Sequence, residues 1–188
     1  MPWHTAAMLF ARRIQHCRVC GHTTTYRTPP DDNRERAICN ACGEIHYENP
    51  INVVGTLPVW EDKVLLCRRA IEPRHGLWTL PAGFLELGES IEEGARRETD
   101  EEAGARIELQ GLFTLLNVVP VGQAHFFYRA RLLDTRFDPG PETLEAQLFA
   151  EHEVPWDQLA FRTVRETLKH FFADRAAGRF ELHIGDIR

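Results

Sequence analysis

The stretch GFLELGESIEEGARRETDEEAGA, residues Gly83 to Ala105, decides how the rest of this chain is interpreted. Ser90 with Glu93 three positions later is a capping-box pattern that predicts a helix start at Ser90, and Gly104 suits the residue that ends the helix. Helical spacing puts three carboxylates on one side: Glu98, Glu101 and Glu102. The adjoining sector consists of residues that can pack on a sheet: Ala95, Thr99 and Ala103.

The clustered carboxylates indicate a metal site. Carboxylates a few ångströms apart repel one another unless a cation joins them, and oxygen-only ligation is what Mg²⁺ or Mn²⁺ prefers. We therefore expect a divalent metal that carries a phosphate. Arg97, next to the first glutamate, is expected to reach back to Glu89 in a bidentate pair. The alternative is a solvated acidic helix face, because runs of charge usually face water.

The glycines and the spacing favour the metal site. The stretch fits the pattern G-x5-E-x7-R-E-U-x-E-E-x-G-U, in which U is aliphatic, and it resembles the Nudix box of nucleoside-diphosphate-linked hydrolases. The resemblance implies an α/β fold, namely an α/β/α sandwich with a mixed sheet, and a pyrophosphatase that hydrolyses a diphosphate bond with the help of a metal. Thr99 departs from the pattern, since a larger aliphatic residue is usual there.

The resemblance also implies roles for individual residues. The metal ligands are Glu98, Glu101, Glu102 and the backbone carbonyl of Ala82. Structural roles in the box fall to Gly83, Glu89, Arg97 and Gly104. The general base stays open between Glu98 or Glu101 in the box and a carboxylate beyond it, for which we favour Glu145 in the stretch GPETLE. Solvation is the alternative for Glu145, and more so for Glu142.

Four of the five cysteines form two pairs, Cys17-x2-Cys20 and Cys39-x2-Cys42, with eighteen residues between the pairs. This spacing is typical of a four-thiolate zinc site on two knuckles, a zinc ribbon. Disulfides are the alternative, which the two-residue gaps and the lack of a secretion signal disfavour. Because four thiolates fill the shell, we interpret the nearby histidines as surface residues or neighbours of the site: His16, His22 and His46. Cys67 lies in an apolar strand and is expected to be buried.

The chain is expected to consist of an N-terminal tail over residues 1–15, a zinc ribbon over residues 16–48 and a Nudix domain over residues 49–188. In the last of these, INVVGTLPVW and KVLLCRR predict a hairpin, and two further strands follow the box. A helix is predicted near residues 162–177, and FELHI is predicted as a final strand.

Composition limits the classes of function. The 188 residues, 43% of them hydrophobic, suffice for one globular domain and a small appendage. The net charge of −6, with scattered lysines and arginines, argues against a general nucleic-acid surface. No stretch resembles a membrane span or a cleaved leader, so we expect a cytoplasmic protein. A homodimer remains open.

The substrate is suggested by motifs outside the box. AICNACG, YENP, HGLWTLPAG and GPETLEAQLFA make the chain similar to the plant plastid FAD and ADP-ribose pyrophosphatases, which implies hydrolysis of FAD or ADP-ribose. NADH pyrophosphatases also carry a zinc ribbon, but they have an SQPWPFPxS-type stretch where this chain has LLNVVPVGQAHFFYRARL. A third alternative is a non-catalytic Nudix-like module that binds a ligand or nucleic acid. Candidates for pocket walls are His75, Trp78, Phe84, Asn117, His125 and Phe127.

Overall fold

The computed structural model describes residues 13–188. The chain divides into two compact units, Met1–Pro50 and Ile51–Arg188. The N-terminal tail expected over residues 1–15 lies mostly outside the described residues. Within the described range, none of the helices has both the length and the apolar character needed to cross a membrane.

The described part of the first unit is a small antiparallel sheet joined to two cysteine turns. Its strands are β1 (Thr24–Arg27), β2 (Arg36–Cys39) and β3 (Ile45–His46), paired in that order. The residue after each cysteine pair has a left-handed backbone, with φ of 74° at Gly21 and 76° at Gly43. Glycine adopts this conformation without a steric cost. Their amides close the turns on the carbonyls of Cys17 and Cys39, so each pair of cysteines shares one knuckle.

The second unit is built on a mixed eight-stranded sheet. Its strands are β4 (Ile51–Trp60), β5 (Lys63–Arg69), β6 (Trp78–Thr79), β7 (Ala82–Phe84), β8 (Ile107–Val118), β9 (Gln123–Leu132), β10 (Thr143–Phe149) and β11 (His183–Ile187). The main path runs β10-β5-β4-β9-β8-β11, with β6 beside β5 and β7 beside β4. β4 pairs with β9, and β8 with β11, in parallel. The remaining pairs are antiparallel.

Two helices of the second unit are named here, α1 (Ile91–Ala103) and α2 (Arg162–Ala177). The capping box predicted for α1 is confirmed, because the Ser90 hydroxyl accepts from the amide of Glu93 and the Glu93 carboxylate accepts from the amide of Ser90. Gly104 ends α1 in the left-handed region, at φ 57°. The bounds of α2 agree with the predicted helix.

The two helices cover opposite faces of the sheet. Side chains alternate along a strand, so neighbours in sequence contribute to different cores. Val54 of β4 packs in a cluster with Ala95 of α1. Leu57 of β4 and Phe127 of β9 belong to a larger cluster with Phe171 of α2. The fold is therefore the expected α/β/α sandwich with a mixed sheet.

Most of the predicted strands are confirmed, with one correction. The hairpin of β4 and β5 and the pair β8 and β9 form as expected, and Trp78 lies in the core. FELHI does not form a strand as a whole, because Phe180 stacks on Phe171 and the amide of Glu181 donates to Asp174, so β11 begins only at His183. Of the two places predicted for His46, the surface is excluded, since its side chain is buried in β3.

Candidate functional site

The three box glutamates of α1 differ in their environment. Glu98 and Glu102, one turn apart, are buried against the sheet, whereas the side chain of Glu101 is 57% exposed. Burial raises the pKa of Glu98, although Arg97 opposes the shift. Burial also raises the pKa of Glu102 to about 7, and the negative charge of Glu98 adds to this effect. Both carboxylates are thus held where ionisation costs free energy unless a cation is near.

Arg97 is the cation that two of the three box glutamates contact, Glu98 and Glu101. Its Nε and Nη2 donate to the two oxygens of Glu89, at 3.0 and 2.7 Å, and Nη2 also donates to the carbonyl of Phe84 at 3.0 Å. Its Nη1 donates to Glu98 at 2.7 Å and to Glu101 at 3.0 Å. The hydrogen bonds from Arg97 lower the pKa of Glu89 to about 2. Arg97 therefore links the loop before α1 to the glutamates of the helix.

The backbone of β7 approaches the glutamates closely. A Cβ added to Gly83 would lie 2.4 Å from the carboxylate of Glu98, so only glycine leaves this carboxylate in place. The amide of Ala82 donates to Glu102 Oε2 at 3.0 Å. Metal ligation by the carbonyl of Ala82 stays a prediction, as do the ligand roles of the glutamates.

Two residues near the glutamates were missed or undervalued by sequence reasoning. Arg69, at the end of β5, is buried, and its charge acts on Glu102 and Glu142. Its Nε donates to the carbonyl of Pro73 at 2.9 Å, and its guanidinium lies 5.2 Å from the centre of the Phe161 ring. The charge of Glu142 in turn raises the pKa of Glu98 and of Glu102. Beside the three box glutamates and Arg97, the region thus contains a fourth carboxylate and a second arginine.

Glu145, favoured as an outside base, lies on β10 with a half-exposed side chain. Its Oε2 is 4.0 Å from Nη1 of Arg68. The carboxylate outside the box whose charge raises the pKa of Glu98 and Glu102 is Glu142, which is exposed, as the solvated alternative for it predicts. The catalytic role of Glu145 stays a prediction.

The acidic cluster fits a hard divalent cation by its chemistry. Its donors are carboxylate oxygens, those of Glu98 and Glu102 belong to buried residues, and burial raises the pKa of both. Mg²⁺ and Mn²⁺ prefer oxygen ligands of this kind. The carboxylates accept hydrogen bonds from Arg97 and from the amide of Ala82.

The four predicted zinc ligands are brought together in the first unit. The sulfurs of Cys17, Cys20, Cys39 and Cys42 all lie within 4.8 Å of one another. Within residues 13–188, no other group of three or more histidine, cysteine, aspartate or glutamate side chains has its donor atoms this close together. Individual Sγ separations are 3.4 to 3.8 Å. A tetrahedral zinc ion with bonds of about 2.3 Å would separate its sulfur ligands by about 3.8 Å. Backbone amides also point at the sulfurs, from Val19 to Cys17 and from Ala41 to Cys39. The cluster therefore fits zinc.

The six candidates for pocket walls do not form one surface. Trp78 and Phe127 are core residues, and His125 is buried beside them. His75 is exposed, and the amide of Asn117 donates to Asp186. Phe84 alone combines a large exposed ring, 52% accessible, with a position next to Gly83.

The relationships of the chain agree with this geometry. Residues 50–174 match the model of the NUDIX domain family, and residues 15–48 match the model of the Nudix N-terminal zinc ribbon. Among curated proteins, an NAD-capped RNA hydrolase NudC of Salmonella heidelberg is 31% identical over 99 residues, which are 53% of this chain and 37% of that protein. The match thus spans little more than a third of the relative's length.

Two solved structures show the same fold. A NUDIX hydrolase from Nitrosomonas europaea superposes with a TM-score of 0.89 at 46% identity, covering 92% of this chain and 98% of that one. An ADP-ribose pyrophosphatase from Streptococcus suis superposes with a TM-score of 0.60 at 27% identity, covering 72% and 99%. With the matching family models and the box of α1, these likenesses establish that the chain belongs to the family of Nudix hydrolases and carries that family's N-terminal zinc ribbon.

Proposed function

We propose that this chain is a metal-dependent pyrophosphatase that cleaves the diphosphate bond of a nucleoside-diphosphate-linked substrate. The observation that carries the proposal is the burial of Glu98 and Glu102 at the junction of α1 and β7, where burial, and to a smaller extent the charge of Glu142, raises the pKa of both carboxylates. A solvated acidic face would leave these carboxylates exposed. A divalent cation with its phosphate ligand supplies the missing positive charge.

Mg²⁺ or Mn²⁺, when bound, supplies neutralisation of the diphosphate and a more acidic water. Glu98, Glu101, Glu102 and the carbonyl of Ala82 would hold the ion. One carboxylate accepts the proton of the attacking water. The choice lies among Glu98 and Glu101 in the box, Glu145 as first favoured, and Glu142, whose proximity to the buried pair makes it the better outside candidate.

Two further residues are suited to the substrate. Arg69 presents a buried guanidinium near Glu142, and a planar guanidinium pairs well with phosphate oxygens. Phe84 presents its ring beside Gly83, on a backbone fixed by Arg97 and by pairing with Val53. An exposed ring on a fixed backbone can stack with the planar base of a nucleotide. We infer that Arg69 contacts the diphosphate and Phe84 the base.

The preferred substrates are FAD, giving FMN and AMP, and ADP-ribose, giving AMP and ribose 5-phosphate. FAD rests on the resemblance of the sequence motifs to the plant plastid enzymes. ADP-ribose is supported by the solved structure from Streptococcus suis. The Salmonella relative favours a second candidate, NAD or an RNA that carries NAD, so nucleic acid stays among the substrates to be tested.

The chain has two parts in this proposal, one held by zinc and one that carries out the reaction. We infer a zinc-stabilised module over residues 16–48 and a catalytic domain over residues 49–188. The zinc would have a structural role, because four thiolates leave no open position for a substrate. A homodimer is a further element to be tested by the molecular mass in solution.

The test is a panel assay of purified protein with Mg²⁺ against FAD, ADP-ribose, NADH and NAD-capped RNA, with products separated by chromatography. We expect AMP with FMN or ribose 5-phosphate from the wild type and none from Glu101→Gln. Glu108→Gln is the matched control, because Glu108 is a surface carboxylate paired with Arg131. Lack of turnover of every substrate by the wild type would contradict the proposal and favour a binding module.

A second comparison identifies the outside carboxylate. Glu142→Gln and Glu145→Gln are assayed on the preferred substrate over a range of pH. We expect Glu142→Gln to lower kcat by roughly two orders of magnitude, the scale of general-base catalysis, while Glu145→Gln stays near the wild type. The reverse order would restore Glu145 as the base.

A further inference from the structure

Two pairs of buried threonines join the helices to the sheet, one on each face. Thr56 of β4 and Thr99 of α1 have their hydroxyl oxygens 2.7 Å apart. Thr114 of β8 and Thr167 of α2 have theirs 2.9 Å apart. All four side chains are fully buried. The molecule thus contains the same polar contact twice, once beneath the acidic cluster and once on the other face of the sheet.

The direction of the hydrogen bonds in the first pair follows from the protons available. Thr99 donates its single hydroxyl proton to the carbonyl of Ala95, one turn earlier in α1, at 2.7 Å. The hydroxyl of Thr56 must then be the donor to Thr99, because a hydroxyl carries one proton. The chain of hydrogen bonds therefore runs from strand to helix, and an aliphatic residue at position 99 would end it.

Thr56 also holds the other side of the acidic cluster. Its amide donates to the carbonyl of Pro81 at 3.1 Å, directly before Ala82 and Gly83. At the preceding position, a Cβ on Gly55 would lie 2.4 Å from the Cβ of Ala82. Thr56 thus binds the backbone directly before β7 through its amide, and Thr99 of α1 through its hydroxyl.

Thr99 lies between the two buried glutamates in sequence, directly after Glu98 and three residues before Glu102. The carboxylate of Glu98 rests against Gly83, and that of Glu102 accepts from Ala82. A slide of α1 along the sheet would therefore change both contacts together. Apolar packing resists such a slide weakly, whereas a short directional hydrogen bond fixes one distance.

We propose that Thr56 and Thr99 are positioning residues that set the distance between α1 and the backbone of Ala82 and Gly83, and thereby the spacing of the metal ligands. The inference rests on the proposed metal-dependent function. Thr99 is the one departure from the box pattern noted above. Its hydrogen bond with Thr56 of β4 then explains why a threonine stands where an aliphatic residue is usual. Support for metal ligands of this kind typically affects metal affinity more than fold stability.

The test replaces both hydroxyls by methyl groups, in Thr56→Val/Thr99→Val, with Thr114→Val/Thr167→Val as the matched control. Replacing both partners of a buried hydrogen bond by apolar groups of the same shape is nearly neutral for stability. We therefore expect both double variants to unfold at nearly the wild-type urea concentration. Thr99→Val alone removes the acceptor of the Thr56 hydroxyl and should unfold earlier, whereas in Thr56→Val alone the Thr99 hydroxyl keeps the carbonyl of Ala95.

Metal binding separates the two double variants. Mn²⁺ is titrated into zinc-loaded protein without substrate, and free Mn²⁺ is followed by electron paramagnetic resonance. We expect roughly tenfold weaker binding in Thr56→Val/Thr99→Val and wild-type binding in the control. The Mn²⁺ concentration for half-maximal rate should rise in parallel, while KM at saturating metal stays unchanged. Thr56→Ser/Thr99→Ser keeps both hydroxyls and should restore the affinity.

Three outcomes would overturn the inference: wild-type Mn²⁺ affinity in Thr56→Val/Thr99→Val, an equal loss in the control pair, or no rescue by serine. Should the valine pair not fold, Thr99→Ala against Thr99→Ser asks the same question, and equal Mn²⁺ affinity in these two would also overturn it. If the wild type neither binds Mn²⁺ nor hydrolyses any substrate of the panel, the proposed function itself fails, which is a distinguishable result.

Discussion

The cysteine cluster and the glutamate cluster are two candidate metal sites built on different principles. The four thiols already face one another, with all four sulfurs within 4.8 Å. The glutamates face protein groups instead, Arg97 and the amide of Ala82. The sulfurs of the first site lie against one another, whereas carboxylates of the second are paired with an arginine and a backbone amide. From this difference we expect zinc to hold its module together, and the divalent cation to bind to a domain that is already folded.

The size of the cores explains why the two sites differ. In the described part of the first unit, four of the buried side chains are the ribbon residues Cys17, Ala37, Ile38 and Cys39, so little apolar surface is available there. Small modules of this kind depend on metal for folding. The second unit has a core of thirteen buried residues in its largest cluster. We therefore expect it to keep its fold when the divalent cation is removed.

The largest expected effect is that of zinc removal. We expect the ribbon to lose its structure, because structural zinc contributes on the order of 10 kcal/mol of binding free energy that is also folding free energy. In an amide correlation spectrum the resonances of residues 15–48 should collapse to random-coil positions, as they should in Cys39→Ser. Removal of Mg²⁺ by dialysis is the control and should leave all resonances dispersed. A ribbon that stays folded without zinc would remove the distinction between the sites.

The next largest effect is the loss of stability when Arg97, the cation paired with Glu89 and Glu98, is replaced. Arg97→Met leaves Glu89 and Glu98 without their partner, and both are largely buried. Breaking such a pair costs about 3 kcal/mol of unfolding free energy in urea denaturation. We expect Mn²⁺ to recover part of this loss, since it replaces Arg97 as the charge facing Glu98.

Arg96→Met is the matched control for Arg97→Met. Arg96 precedes Arg97 in the same helix, is exposed, and reaches only the carbonyl of Ile107, at 3.5 Å. Its loss should change the free energy of unfolding by less than about 0.5 kcal/mol. If Arg96→Met and Arg97→Met are equally stable, Arg97 does not substitute for a metal.

His125 contributes to the pH dependence of the free energy of unfolding, and this contribution has to be known before the effect of acid on the glutamate cluster can be measured. Burial lowers the pKa of His125 to about 4, below the value of about 6.5 expected in the unfolded chain. Between these values the unfolded chain binds more protons, so the free energy of unfolding falls as the pH falls. From pH 7 to pH 5 this contributes a loss of about 2 kcal/mol. His125→Phe should lack that share, and an unchanged slope of stability against pH would contradict the assignment.

The smallest expected change in stability comes from Gly83→Ala. The added Cβ meets the carboxylate of Glu98, which is the far end of a side chain and can move. We expect less than about 1 kcal/mol of destabilisation in urea, yet roughly tenfold weaker Mn²⁺ binding because Glu98 is displaced. Gly185→Ala is the control, since its Cβ would meet Leu116 at an ordinary 3.6 Å. Wild-type Mn²⁺ affinity in Gly83→Ala would show that the position of Glu98 is not critical.

The features that the sequence revealed are local ones. Two cysteines three residues apart on a turn are neighbours whatever the rest of the chain does, and the capping box of α1 joins residues within one turn. The apolar segments of β4 and β5 around a turn, and the period of α2, were likewise sufficient to predict these elements. Each of these signals lies within a single element, so no tertiary contact is needed to interpret it.

The features that the sequence concealed depend on pairing between distant segments. The charge of Glu142 acts on the glutamates because its backbone is held beside the end of β5, where its carbonyl accepts from the amide of Ala70. Nothing in the spacing of GPETLE distinguishes Glu142 from Glu145. Short strands such as β6 and β7, of two and three residues, also lack a period that could be detected. In the same way Thr99 stood out only as a departure until its partner Thr56 was known.

The parallel pairing of β4 with β9 also governs the order in which the chain can fold. Ile51 pairs with Gln123, so the ribosome must release the whole box and both flanking strands before the centre of the sheet can close. Such non-local contacts form late and slow the search for the native state. The ribbon strands, in contrast, pair as soon as residues 24–46 have emerged. During synthesis the thiolates can therefore capture zinc while the acidic residues are still part of an open chain.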